Sequence, residues 1–248
     1  MTNGRVFMIE TATAIKYAPA IVSLAKKPIE DIYEFLKKQI KVQFAGINID
    51  DVYGKALGYV EANSSLITIL CRERRLVSDF YYPSKVIFDG VRKGTKVTVD
   101  NLDDLILAKG KNRLIIEAAA GHGKSVFLRH LFVEEYKVGR VAILINLREI
   151  NDSQDLIKIL FQQFDDIGLP LNNNLEYLNK IVASAKVTLL LDGLDEVERK
   201  FVMQVRDSIK FILNKNTSTR VVISSRPGAL LDFMGELPDS SIVRLAKN

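Results

Sequence analysis

Cysteine is nearly absent: Cys71 is the only one among 248 residues. No internal disulfide can form, a reducing compartment fits, and the thiol reads as a buried bystander. Histidine is almost as scarce, with His122 and His130 alone, which argues against any His/Cys zinc site. No apolar run approaches the ~20 residues that span a bilayer; Ala18 to Ala25 is short and contains Pro19. The first ten residues mix Asn3, Arg5 and Glu10 and carry no secretory signal. A cytoplasmic protein without a membrane span is expected. Repeats and low-complexity tracts are missing too. The net charge of +5 is mild, and the one dense basic stretch, Arg72-Glu73-Arg74-Arg75, is interrupted. Nucleic-acid binding is therefore not indicated.

What is present is a globular composition, 48% hydrophobic and 26% charged, sufficient for one large domain or two smaller ones. The stretch from Leu114 to Ser125 organises it. Leu114-Ile115-Ile116 reads as a buried strand, and Ala118-Ala119-Ala120-Gly121-His122-Gly123-Lys124-Ser125 as a tight loop running into a helix. The loop fits G-x-x-x-x-G-K-[ST] except that Ala118 stands at the first glycine. Such a loop turns backbone N–H groups toward phosphate oxygens at a helix N-terminus. Gly121 and Gly123 let the backbone approach closely. Lys124 would reach the β- and γ-phosphates and the Ser125 hydroxyl would ligate Mg²⁺. Ala118, Ala119, Ala120, Gly121, His122, Gly123, Lys124, Ser125 and Val126 are the candidate nucleotide-binding residues. A glycine-rich turn before an ordinary helix is the alternative.

From Arg113 onward, apolar strands alternate with helices. Strands are expected at Arg113–Glu117, Val141–Asn146, Val187–Leu191, Arg220–Ser225 and Ser241–Leu245, and helices at Lys124–Lys137, Ser153–Phe164, Leu175–Ala185 and Val197 to about Leu213. The alternation predicts a parallel sheet with right-handed crossovers. The strand Val187 to Leu191 runs into Asp192-Gly193-Leu194-Asp195-Glu196. A carboxylate at the end of a buried strand is the partner that a phosphate loop needs. Asp192 is the candidate Mg²⁺ ligand with Ser125. Asp195 and Glu196 are candidates to orient or deprotonate a water, with Glu196 favoured. A turn aspartate is the alternative for Asp192. The third polar strand end, Ser224-Ser225-Arg226-Pro227, would face the γ-phosphate, since ligands lie beyond the carboxyl ends of such strands. Arg226 could sense or stabilise its charge, or form a surface ion pair. Lys124, Asp195, Glu196 and Arg226 are thus the candidate catalytic residues. No N-K-x-D motif follows, which favours adenine over guanine. Ser125 has no base motif around it, which speaks against a Ser/His/Asp hydrolase.

Residues 1–75 read as a small helical domain. Pro28 suits a first helical position, with Ile29, Ile32, Tyr33, Leu36 and Ile40 on one face. Gly46 is a stop. A further helix begins after Asp50-Asp51, with Val52, Ala56, Leu57 and Val60 inward, and is expected to reach Arg75. The helices either support the next domain, or act as an effector or as an arm that docks a partner, including a second copy of the chain. Residues 76–112 form a linker. Within it Phe80-Tyr81-Tyr82-Pro83 is extended because Pro83 biases Tyr82 away from helix; Tyr82 and Pro83 either lie against an adenine ring or pack between domains. Lys96–Val99 is a short strand, and Leu102 to Leu107 a short capped helix. Residues 113–248 are the nucleotide-binding domain.

Taken together, these motifs resemble the NACHT family of signal-transduction NTPases, within the STAND group. The phosphate loop matches at Ala118 to Ser125, the extended acidic motif at Thr188 to Glu196, and the sensor strand at Ser225-Arg226-Pro227. Ile145-Asn146-Leu147-Arg148-Glu149 resembles the family's second strand, and Phe80 to Pro83 its aromatic–proline element. The resemblance covers roughly residues 76–248. It implies an α/β fold: a parallel five-stranded P-loop NTPase sheet of order 5-1-4-3-2, flanked by helices and preceded by the small α-helical domain. It implies ATP and ADP with Mg²⁺ as cofactors, slow hydrolysis, and a nucleotide-dependent switch that opens and self-associates. For bacterial members it implies a role in defence against phage. The chain ends soon after Arg226, leaving no room for the family's winged-helix domain or C-terminal sensor, so either a bacterial-type member truncated after its nucleotide-binding core or a natural short protein without self-inhibition is expected. The alternatives are a non-enzymatic interaction module with a structural nucleotide, and a small-molecule kinase, for which no arginine-rich lid or acceptor pocket is legible.

Overall fold

Long runs of Val, Ile and Leu need burial on both faces, and the sheet that provides it frames the molecule. The computed structural model describes residues 3–39, 46–66, 74–88, 96–214, 218–228, 237 and 239–246. Cys71, Arg72 and Glu73, and Ile40 on the proposed helix face, lie outside the described residues. In chain order the elements are α1 (Asn3–Gln39), α2 (Ile49–Ser64), β1 (Ser65–Leu66), β2 (Arg75–Leu76), β3 (Ser84–Phe88), β4 (Lys96–Val99), α3 (Leu102–Lys109), β5 (Arg113–Glu117), α4 (Lys124–Lys137), β6 (Val141–Asn146), α5 (Leu156–Asp166), α6 (Leu175–Ala183), β7 (Val187–Asp192), α7 (Val202–Asn214), β8 (Arg220–Ser225) and β9 (Ser240–Leu245).

Among the described residues the main sheet has seven strands in the order β4-β3-β9-β5-β8-β7-β6. Both count and order therefore differ from the five-stranded 5-1-4-3-2 expectation, and the difference lies at one edge. Strands β9-β5-β8-β7-β6 pair in parallel, while β3 joins β9 and β4 antiparallel. The segment Ser84–Phe88 has no run long enough to announce a strand. Tertiary pairing makes it one: Val86, fully buried, lies opposite Val97 on one side and Leu245 on the other. Every residue of β5 and β8 is buried, as expected for central parallel strands.

At the amino-terminal end, α1 runs unbroken through Pro19 and Pro28. Pro28 is an interior residue, not a first helical position. An interior proline costs a helix ~3 kcal/mol. Here Ile21, Ala25, Ile29, Ile32 and Leu36 form one buried stripe on both sides of it, and burying side chains of that size is worth roughly 1.5–3 kcal/mol each. Helix α2 is capped by Asn48, whose side chain accepts from Asp50 N–H. It ends at Ser64 and does not reach Arg75. The Ser64 and Ser65 hydroxyls donate to the Glu61 carbonyl, and β1 then pairs with β2. Both helices contact α4, and α1 also touches β6. Their buried residues belong to one apolar cluster with the sheet. Gly168, after α5, makes the approach possible: its φ is +80°, and a Cβ there would stand 2.8 Å from Val52 Cα. Elsewhere α5 starts at Leu156 because the Asp155 side chain caps it, accepting from Lys158 N–H at 2.8 Å. Before α7, extended Val197 and Glu198 delay the helix to Val202.

Candidate functional site

The loop follows the last residue of β5, at the edge where the parallel strands end. Gly121 and Gly123 have φ of +76° and +79°, and a Cβ on either would meet no atom within 4 Å. Their left-handed backbone, rather than a close neighbour, is what calls for glycine. Gly123 is also the N-cap of α4 and offers no capping side chain. The first-turn N–H groups of α4, including those of Lys124, Ser125 and Val126, thus lack both intrahelical and side-chain acceptors, the arrangement that suits an anion. Lys124 Nζ lies across the loop and donates to the Ala118 carbonyl at 3.3 Å. Ser125 is exposed, and Ala119, Ala120 and Gly121 are exposed around it.

Two hydrogen bonds join this loop to the neighbouring strand ends. Ala118 N–H donates to the Ser225 carbonyl at 3.1 Å, extending the β5–β8 pairing by one residue. Ser224, fully buried, donates its hydroxyl to Asp192 Oδ1 at 2.5 Å and accepts Gly193 N–H at 2.9 Å. Ser224 therefore aims at the acidic turn rather than at the loop. Gly193 has φ of +79°, and the turn that follows folds the Glu196 carboxyl back over it. Glu196 is exposed. Asp195 is not: its side chain is 5% exposed, and Arg226 Nε lies 2.8 Å from its Oδ2. Arg226 N–H donates to Asp195 Oδ1 at 3.0 Å. Lys124, Ser125, Asp192, Asp195, Glu196 and Arg226 are thus brought to one edge of the sheet by β5, β7 and β8. Three buried side-chain atoms there, His122 Nδ1, Asp195 Oδ2 and Ser225 Oγ, have no hydrogen-bond partner, although Asp195 Oδ2 lies within ion-pair distance of Arg226 Nε. Unpaired buried polar atoms are costly, so this edge is where a polar ligand fits.

The aromatic–proline segment reaches the same edge by a route the sequence does not reveal. Because β3 runs antiparallel to β9, its first residue lies at the end where β5 releases the loop. Tyr81 stacks on His130 of α4, with ring centroids 3.8 Å apart and planes 11° from parallel. Its hydroxyl accepts Ser84 N–H at 3.0 Å. Tyr82 is 70% exposed and Pro83 half-buried.

Arg129, one residue before His130, escaped the sequence reading. Its Nη1 donates to the carbonyls of Asn63 at 2.8 Å and Ala62 at 3.4 Å. Burial pulls its pKa down, and the charge of Asp192 pushes it back up. No local motif marks it, since its partners are carbonyls at the end of α2. Among the described residues, no helix is long and apolar enough to cross a membrane.

The NACHT domain family model matches residues 112–247. No curated protein matches the chain. The solved structure of C. elegans PCH-2 is similar at 14% identity and a TM-score of 0.32, covering 57% of this chain and 37% of that one. This chain therefore spans about a third of that neighbour's length.

Proposed function

This chain belongs to the NACHT domain family, and on that footing we propose that it is an adenine-nucleotide switch with slow, Mg²⁺-dependent ATP hydrolysis. The observation that carries the reading is the meeting of Lys124, Ser125, Asp192 and Arg226 at one sheet edge, tied by the Ala118–Ser225 and Ser224–Asp192 hydrogen bonds. The first-turn N–H groups of α4 and the loop from Ala118 to Val126 hold the phosphates. Lys124 exchanges the Ala118 carbonyl for phosphate oxygens. Ser125 and Asp192 are the residues that would hold Mg²⁺, which when bound neutralises charge on the β- and γ-oxygens. Arg226 reports the γ-phosphate, and Tyr82 with Pro83 borders the adenine side. Glu196, exposed beside Asp192, is the residue to orient water; Asp195 is engaged by Arg226. Contacts to the γ-phosphate then order one conformation over the other, and α1 and α2 present that state to a protein partner or a second copy of the chain.

At a nucleotide concentration 100 times Kd, the gain in stability is about 2.7 kcal/mol, or roughly 5–10 °C in Tm for a chain of this size. Mg²⁺-ATP should produce that shift in the wild type, and Lys124→Ala should abolish it; an unchanged shift overturns the assignment. A non-enzymatic module with a structural nucleotide is the second reading, favoured by the occupied Asp195. It predicts a retained ADP and no loss of phosphate release on Glu196→Gln. The defence role rests on family resemblance alone. Phage plating on cells that carry wild-type or Lys124→Ala protein tests it.

A further inference from the structure

Arg226 is a cation beside a phosphate loop, and it is already paired. Its side chain is 55% exposed, whereas that of Asp195 is 5% exposed. One partner is fixed in the turn after Gly193, and the other is free to leave. Ser225, the residue before Arg226, accepts Ala118 N–H, so Arg226 departs from the sheet next to the first residue of the loop. The neighbouring acids are differently engaged: Asp192 is bonded by Ser224, and the Glu196 carboxyl folds over Gly193.

We propose that Asp195 is a specificity-determining residue that sets the preference between nucleoside triphosphate and diphosphate by competing with the γ-phosphate for Arg226. The proposal rests on the nucleotide reading of the site. A diphosphate binds without disturbing the Asp195–Arg226 pair. Asp195 holds Arg226 through Nε; a triphosphate that draws the guanidinium away from it has its net advantage reduced by the strength of the pair it breaks. The half-exposed arginine keeps that strength modest, at a few-fold in affinity. Asp195 thereby shifts the balance toward the diphosphate by that factor, and the triphosphate state remains reachable.

The test is a titration of the whole chain, in Mg²⁺, with fluorescent ADP and a fluorescent non-hydrolysable ATP analogue. Wild type, Asp195→Asn, Arg226→Gln and the double variant are compared. Asparagine is nearly isosteric and its Oδ1 still accepts Arg226 N–H; Asp195→Ser is the second variant should the first fail to fold. Asp195→Asn should tighten the triphosphate analogue about threefold to fivefold and leave ADP unchanged within about twofold. In the Arg226→Gln background the gain should vanish. An unchanged ratio of the two affinities overturns the proposal. So does a gain that persists without Arg226, because that would be general repulsion between Asp195 and the phosphates. If the wild type binds neither nucleotide, the reading of the site itself fails, and the proposal with it.

Discussion

His130 shows how much of a side chain's chemistry its surroundings decide. The ring is stacked on Tyr81, and its Nε2 lies 2.6 Å from the Asp100 carbonyl. A carbonyl can only accept, so Nε2 carries the proton. Burial lowers the pKa from its ordinary 6.5, against the Asp100 carbonyl and the charge of Glu134, which raise it; Lys137 adds to the lowering. The unfolded chain therefore takes up this proton at a higher pH than the folded one. The contribution to stability is complete above pH 6.5 and is lost as the pH falls toward the folded pKa. Urea midpoints of the wild type should decline as the pH falls below about 6.5, and His130→Gln should flatten that slope. An unaltered slope would assign the pH dependence to other groups. Arg129 makes a complementary case, since both of its acceptors are backbone carbonyls. Arg129→Met should destabilise by about 1.5–3 kcal/mol, the range for a hydrogen bond with a charged donor, in the same urea assay.

At the scale of elements, the docking of α2 on the sheet depends on two positions. Gly168 admits Val52 and has left-handed backbone. An alanine there must displace a backbone atom as well as accept a strained φ, which alone costs roughly 1–2 kcal/mol. Gly168→Ala should therefore lower stability by more than about 2 kcal/mol, whereas a loss under about 1 kcal/mol would mean that α2 shifts freely. The second position is Tyr59, almost wholly buried, whose ring lies 5.9 Å from that of Phe132. Its hydroxyl accepts Leu144 N–H at 3.1 Å. Leu144 is on β6, the strand at the edge of the sheet, so a helix side chain occupies a donor that an open edge would present. Tyr59→Phe leaves that N–H without its acceptor, at a cost of about 1–3 kcal/mol. Faster amide exchange at Leu144 would identify the cause.

Across the whole molecule, the opposite end of the sheet is held by charge. Glu135, on α4 and 1% exposed, is paired with Arg140 Nε at 2.8 Å and Arg220 Nη2 at 3.3 Å. Asp103 of α3 joins the same two arginines at 2.7 and 2.8 Å, and the Thr188 hydroxyl donates to Glu135. Arg220 opens β8 and Thr188 lies near the start of β7, so the cluster is a sheet length away from the phosphate loop. Burial tends to raise the pKa of Asp103, but hydrogen bonds from Arg140 and Arg220 outweigh it and hold the pKa below its ordinary 3.8. Its contribution is present above that value and is lost as the pH falls through the folded pKa. Removing one member of a buried ionic cluster costs about 3–5 kcal/mol. Glu135→Gln should accordingly lower the Tm sharply while leaving nucleotide affinity unchanged, a separation that calorimetry and titration would read together.

The parallel strands and the glycine-rich turn into α4 were legible because their signals are local. Val141–Ile145 and Val221–Ile223 are contiguous apolar runs, Gly121 to Ser125 is a contiguous motif, and Asp192 is the last residue of its strand. Periodicity and turn chemistry act over a few residues, and the chain alone determines them. Tertiary structure decided what depends on distant partners. Ser84–Phe88 is a strand because β9 and β4 lie beside it. Pro28 sits inside a helix because the apolar stripe on both sides of it is buried. Asp195 faces Arg226 because β7 and β8 are neighbours. Each of these sets a weak local preference against a contact made across the sheet, and burial, which only the assembled fold supplies, outweighs the preference.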